Sequence, residues 1–169
     1  MSVGKESFEL GKNLVILSGK KVDLKQHASI FAGHGWIDST RNHDDYKNLD
    51  IKGKIVYVLP GTPESSSPMA VFEAMASKQA WASEKGAVAL IELYRLNNFP
   101  FQFFVNYFNK EQISLSKDGK ENSDQMTYAW IKETDLENIN ALKGKASFLS
   151  DLKHSGVEST ISICRNVVG

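Results

Sequence analysis

The sequence predicts an α+β fold, a twisted, barrel-like β-sandwich of about 7–8 mostly short strands with two helices packed outside it. Three observations predict it. Short β-branched or alternating runs recur between Gly- and Pro-containing turns. One long helix is marked at both ends, by Ser67-Pro68 and by Gly86. A second, short helix carries a capping pattern in Thr134 and Glu137. Closure of such a sheet limits the edges it exposes.

Residues 8–32 alternate apolar and polar positions around Gly11 and Gly19, which reads as two or three short strands with Phe31 in the last. A polar connection from Asp38 to Asp50 leads to the turn Lys52-Gly53-Lys54. The β-branched run Ile55 to Leu59 follows and is stopped by Pro60-Gly61, so it is a buried strand. The long helix extends over Pro68 to Lys85: Ser67 suits the cap, Pro68 the first helical position, and Gly86 a left-handed terminus. Phe72, Met75, Ala76 and Gln79 share one side, bordered by Val71, Trp81 and Ala82. That stripe is expected against the sheet, with the charged residues in water. Ala87 to Leu93 is a second strand, and the order strand, helix, strand favours a parallel pair with a right-handed crossover.

Residues 94–110 concentrate rings. Tyr94, Phe99, Phe101, Phe103, Phe104, Tyr107 and Phe108 lie close together, and their period is ambiguous. Phe101, Phe104, Val105 and Phe108 fit one helical face, whereas Phe99, Phe101, Phe103, Val105 and Tyr107 fit one strand face. Asn109 to Asp124 reads as a solvated loop. Met126 to Lys132 is strand-like, and the helix from Thr134 to about Leu142 is closed by Gly144. Lys145 to Lys153 and Val157 to Val168 read as strands joined at His154-Ser155-Gly156. No repeat, low-complexity segment or linker divides the chain, so residues 1–169 are expected to form a single domain.

The totals exclude several function classes. Twenty basic residues balance twenty acidic ones, so no global field draws in nucleic acid or an anionic membrane surface. Neither a signal peptide nor a membrane span is expected, because the early residues lack a basic region followed by an apolar stretch and no apolar run is long enough. Cys164 is the only cysteine, which rules out an internal disulfide and a zinc site of paired thiolates; in its apolar run it reads as a buried small hydrophobe. Phosphate-loop and nucleophile-elbow patterns are absent, and Ser65-Ser66-Ser67 reads as a loop ending in a helix cap. His34, His43, Asp44 and Asp45 combine imidazole and carboxylate, the ligand types of a catalytic zinc. However, His43 beside Asp44 in a non-helical segment cannot place both side chains on one face as a helical His-Glu-x-x-His does. Surface and turn roles are the stronger reading for the histidines.

Ala32-Gly33-His34-Gly35-Trp36-Ile37, Asp44-Asp45-Tyr46, Leu49 to Val56, and Lys78 leading to Gly86-Ala87 occur in a characteristic order and spacing. In these pieces the chain resembles the protease-associated domain of zinc-dependent aminopeptidases related to glutamate carboxypeptidase and the transferrin receptor. The likeness is strongest from Phe31 to Leu93; His34 stands where that family usually has an aromatic. Gly33, Gly35, Asp44, Asp45, Tyr46, Gly53, Lys54, Lys78 and Gly86 carry it, and each has a structural task. Glycines let the backbone bend or approach, the aspartates bond backbone amides, and the Tyr46 ring packs.

The resemblance implies a non-catalytic domain that covers the active-site cleft of a neighbouring catalytic domain and shapes substrate access. That neighbour would hold the zinc, leaving this chain with no catalytic residue, metal ligand or cofactor of its own. The closing Asn166-Val167-Val168-Gly169 looks like the strand that leads into that neighbour, as if the chain were excised from a longer peptidase. A secreted or periplasmic location for the parent follows from the resemblance alone. The partners implied are the chain's own catalytic domain and a peptide substrate. Their candidate surface is the aromatic segment, with Phe99, Phe101, Phe104 and Phe108 as contacts and Arg95, Asn97 and Asn98 as a polar rim. Two other readings stand beside this one: a peptide-binding or sorting module of a receptor or another protease, and an independent metal-dependent hydrolase built on His34 to Asp45.

Overall fold

The computed structural model of the chain describes residues 1–3, 6–94, 100–108, 126–132 and 147–154. In chain order the elements are β1 (Ser2–Val3), β2 (Glu6–Ser7), β3 (Leu14–Ser18), β4 (Val22–Phe31), β5 (Ile37–Asp38), β6 (His43–Asp44), β7 (Ile55–Val58), α1 (Pro68–Glu84), β8 (Ala89–Tyr94), α2 (Phe101–Phe108), β9 (Thr127–Lys132) and β10 (Phe148–His154). A short 3-10 turn, Ser39–Arg41, connects β5 to β6. The helix expected over Thr134 to Leu142, the loop 109–124, the strand 157–168 and Cys164 lie outside the described residues.

Eight strands form one mixed sheet in the order β2-β1-β10-β4-β7-β8-β9-β3, and β5 with β6 forms a separate ribbon. The fold is therefore α+β and barrel-like, but the barrel character comes from one curled sheet. No second facing sheet exists among the described residues, which corrects the expected sandwich. The cause lies at the edges: β2 and β3, at opposite ends of the strand order, are joined by only residues 8–13. Within that link the Asn13 side-chain amide donates to Ser7 O at 3.4 Å, while Asn13 O accepts from Lys132 N on β9 at 3.0 Å. One residue thus reaches from one margin of the sheet towards the other, which forces the sheet to curl.

Curling gives the central strands two buried faces. Every residue of β7 and β8 is buried, as expected of parallel strands covered on both sides. Val56, Val58, Leu90, Tyr94, Tyr128 and Trp130 point towards the helices, while Ile55, Tyr57, Ile91, Leu93 and Ile131 alternate with them and fill the concave side with Val3, Phe8 and Leu152. The pairs β4–β7, β7–β8 and β8–β9 are all parallel. Among the described residues no helix is long and apolar enough to cross a membrane.

Helix α1 begins and ends where its sequence signals place it. Ser67 Oγ accepts from Ala70 N at 3.3 Å, Pro68 occupies the first turn, and Gly86 closes the end at φ +82°. We expect Ser67→Ala to lower stability by about 1 kcal/mol in urea denaturation, because an N-cap oxygen satisfies an otherwise orphaned amide. The helix is rotated relative to the expected stripe. Val71, Ala74, Lys78 and Ala82 are buried, whereas Phe72 and Ala76 are exposed. The small side chains of Ala74 and Ala82 let the helix approach the sheet, and the charged Lys78 enters the core because a carboxylate waits there.

Candidate functional site

Three segments converge beside the end of β7. Gly33 and Gly35 take left-handed conformations, φ +49° and +62°, and bend the chain as it leaves β4. A side chain at Gly33 would meet the Asp45 carboxylate, and one at Gly35 would meet Tyr46 and Val58, so both sites demand the missing Cβ. The bend aims the His34 and Trp36 amides at one oxygen of Asp45, Oδ2, at 2.9 and 3.0 Å. Its other oxygen lies 3.1 Å from His43 Nε2, without hydrogen-bond geometry. Leu59 N donates to Gly33 O at 2.8 Å, and the His34 imidazole donates from Nδ1 to Pro60 O at 3.1 Å. Asp45 is therefore a loop clamp.

Below this clamp lies an ion pair sealed from water: Lys78 is 0 % exposed and Glu92 1 %. Lys78 Nζ donates to Glu92 Oε1 at 3.0 Å and to Leu59 O at 2.8 Å. Gly61 N donates to the same carboxylate oxygen at 3.2 Å. The second oxygen accepts from the Tyr128 hydroxyl and from Trp130 Nε1, the latter at 3.2 Å. Burial lowers the pKa of the Lys78 ammonium, and the charge of Glu92 opposes that shift. Burial, reinforced by Glu92, raises the Tyr128 phenol, which keeps it a neutral donor. With every oxygen of Glu92 engaged and no solvent access, the group holds α1, β8, β9 and the 59–61 turn together rather than performing acid–base work.

The third feature is aromatic. Phe101 and Phe104, expected at a contact surface, are instead buried, and Phe108 is half-buried. The helical period prevails here: α2 turns Phe101, Phe104 and Val105 inward onto Tyr94 and Trp130. The opposite side faces water, with Phe103 53 % and Tyr107 50 % exposed, their rings stacked at 13° and 6.5 Å. Together with Pro68, Phe72 and Phe104 they line an open groove of about 340 Å³, and among the described residues no carboxylate, imidazole or amine lines it. Phe99, Arg95, Asn97 and Asn98 lie outside the described residues.

The remaining family-pattern residues are dispersed in structural positions. Asp44 Oδ1 accepts from Tyr46 N at 2.8 Å and its other oxygen lies 3.8 Å from Lys85 Nζ. The Tyr46 ring is buried, and burial raises the pKa of its hydroxyl. Gly53 N donates to Gly86 O at 2.8 Å, tying the turn before β7 to the end of α1, and Lys54 Nζ donates to Asp50 O at 2.6 Å. Among the described residues no group of three His, Cys, Asp or Glu side chains could hold a metal ion. Sequence reasoning missed Glu92 and Phe72; it held Phe103 and Tyr107 within the candidate aromatic segment without naming them as contacts. Glu92 had a signal, since it is the one charged side chain in the apolar run Ala87 to Leu93. A scan against protein-family models finds no match to this chain, and a search of the curated proteins finds none.

Proposed function

We propose that this chain is a non-catalytic protease-associated domain of a zinc-dependent aminopeptidase, which covers the neighbouring catalytic domain's cleft and shapes peptide access to it. The observation that carries this reading is the groove lined by Pro68, Phe72, Phe103, Phe104 and Tyr107, an apolar, partly exposed surface suited to contact. The roles of Gly33, Gly35, Asp45 and Lys78 add support. Residues that carry the family resemblance serve here to shape loops and lock a helix, the work of a scaffold. In this reading the zinc and the hydrolytic groups belong to the neighbour, and Phe103 and Tyr107 take the contact role first assigned to Phe101 and Phe104. The same groove favours a second reading, a peptide-binding module that works by itself.

Hydrolysis of aminoacyl-nitroanilides and metal content, measured on the purified chain after incubation with zinc, test the proposal. We expect no turnover and no stoichiometric zinc from the chain, and zinc-dependent turnover once a catalytic domain is joined to it. Turnover by the chain alone that disappears in His43→Ala would establish the independent hydrolase instead. Saturable binding of unstructured peptides by the isolated chain, lost in Phe103→Ala, would favour the peptide-binding module.

A further inference from the structure

We propose that the groove between α1 and α2 binds a proline-rich peptide segment held in the polyproline II conformation. This rests on the reading of the groove as the surface that meets peptide, and it names the chemistry of that peptide.

The groove has two helical walls and an aromatic floor. Pro68 and Phe72 come from the start of α1, and Phe103 and Tyr107 from the exposed side of α2. Phe104 lies between them, its centroid 5.7 Å from that of Phe72 and 5.3 Å from that of Phe103. The Phe103 and Tyr107 rings are within 13° of parallel at 6.5 Å, whereas Phe103 stands at 88° to Phe104 and Phe72 at 44°. Rings set at such angles make a ridged apolar surface, and rigid pyrrolidine rings pack well on ridges and faces of this kind. Both walls are fixed before any ligand arrives. The Lys78–Glu92 pair ties α1 to the sheet, and the buried Phe101, Phe104 and Val105 seat α2. A polyproline II segment likewise arrives with its conformation set, so little ordering opposes the contact.

Size and backbone chemistry decide between occupants. Phe72, Phe103 and Tyr107 are 40 %, 53 % and 50 % exposed, so these rings offer on the order of 300–400 Å², well under the roughly 800 Å² that each partner gives to a stable protein interface. That area suits a short peptide better than a second copy of the chain. Both walls are helices, whose main-chain hydrogen bonds run along their own axes, so an added strand finds no edge to pair with. Polar donors stand among the rings of α2. Gln102 and Asn106 share its exposed side with Phe103 and Tyr107, and Gln102 Nε2 donates to Asn106 Oδ1 at 3.2 Å. Asn106 Nδ2 and the Tyr107 hydroxyl can each donate to a ligand carbonyl. A helical peptide uses its carbonyls internally, whereas a polyproline II segment makes no internal hydrogen bonds and presents all of them. Apolar ridges for prolines and side-chain donors for carbonyls are together the complement of such a segment.

Fluorescence anisotropy of a labelled decaproline peptide, titrated with the purified chain, tests this against a Gly-Ser peptide and a leucine-rich amphipathic helix of equal length. The expected result is saturable, sub-millimolar binding of decaproline and none of the Gly-Ser peptide, with the leucine-rich helix weaker by about tenfold or more. Phe103→Ala should weaken decaproline binding by about tenfold or more, and Tyr107→Phe, which keeps the ring and removes the donor, by roughly three- to tenfold. Circular dichroism should show both variants folded; should Phe103→Ala fail to fold, Tyr107→Phe decides. No saturable binding of decaproline up to about 2 mM, equal or tighter binding of the leucine-rich helix, or an unchanged affinity in Tyr107→Phe overturns the proposal. Self-association of the chain in sedimentation, lost in Phe103→Ala, overturns it as well and assigns the groove to a second copy. Zinc-dependent turnover with a joined catalytic domain is a separate readout. If it appears while decaproline does not bind, the peptide chemistry falls and the accessory-domain reading stands.

Discussion

Lys78→Ala is expected to destabilise the chain by about 3–5 kcal/mol, because it strands the Glu92 carboxylate in the core without its cation. The pair is fully enclosed, so removing one partner leaves a charge that water cannot reach. The donors that remain, Gly61 N, the Tyr128 hydroxyl and Trp130 Nε1, soften the loss without neutralising the charge. Leu59 O also loses its partner, and α1 loses its only charged tie to the sheet among the described residues. Urea denaturation should show the midpoint fall at an unchanged slope. In the double variant Lys78→Met, Glu92→Leu, the stranded charge disappears while the Gly61, Tyr128 and Trp130 donors lose their acceptor. It should therefore recover part of the loss and no more, which a double-mutant cycle measures as a coupling energy. A cost below about 1 kcal/mol for Lys78→Ala would mean that Glu92 takes up a proton or water enters, and the pair would not be the lock described above.

That lock also explains where the sequence could and could not be read. The ends of α1 were legible because caps act locally: Ser67, Pro68 and Gly86 each satisfy or bend the backbone next to them. Ile55–Val58 and Ala89–Tyr94 were legible for the same reason, since a continuous β-branched or apolar run excludes most alternatives. The face that α1 buries was not legible. Phe72 outranks Ala74 in hydrophobicity, so a pattern argument turns Phe72 inward, yet the pairing of Lys78 with Glu92 fixes the rotation by a contact between elements fourteen residues apart. One curled sheet in place of two facing ones was likewise hidden, because the Asn13 contacts to Ser7 and Lys132 are decided only after the edges meet. In the candidate site, the clamp residues Gly33, Gly35 and Asp45 were readable as loop-shaping types, whereas the aromatic run offered two periods that only the fold could separate.

The two sides of α2 should respond to truncation in opposite ways, and the contrast distinguishes core from contact surface. Phe104 is 2 % exposed, with its ring centroid 5.3 Å from those of Tyr94 and Trp130 and 5.7 Å from that of Phe72. Phe104→Ala should therefore cost about 3–5 kcal/mol, combining the lost transfer of a buried ring with the cavity left among neighbours too large to collapse into it. Phe103 and Tyr107 leave half their surface in water, so Phe103→Ala and Tyr107→Ala should each cost much less, within about 1 kcal/mol by thermal denaturation. If the groove is a contact surface, these variants should keep the fold and weaken association with the joined catalytic domain or with peptide, because stacked rings supply contact area at little cost in conformational entropy. Equal destabilisation by all three variants would place Phe103 and Tyr107 in the core as well. The groove would then be a packing defect, and the accessory-domain reading would lose the surface on which it depends.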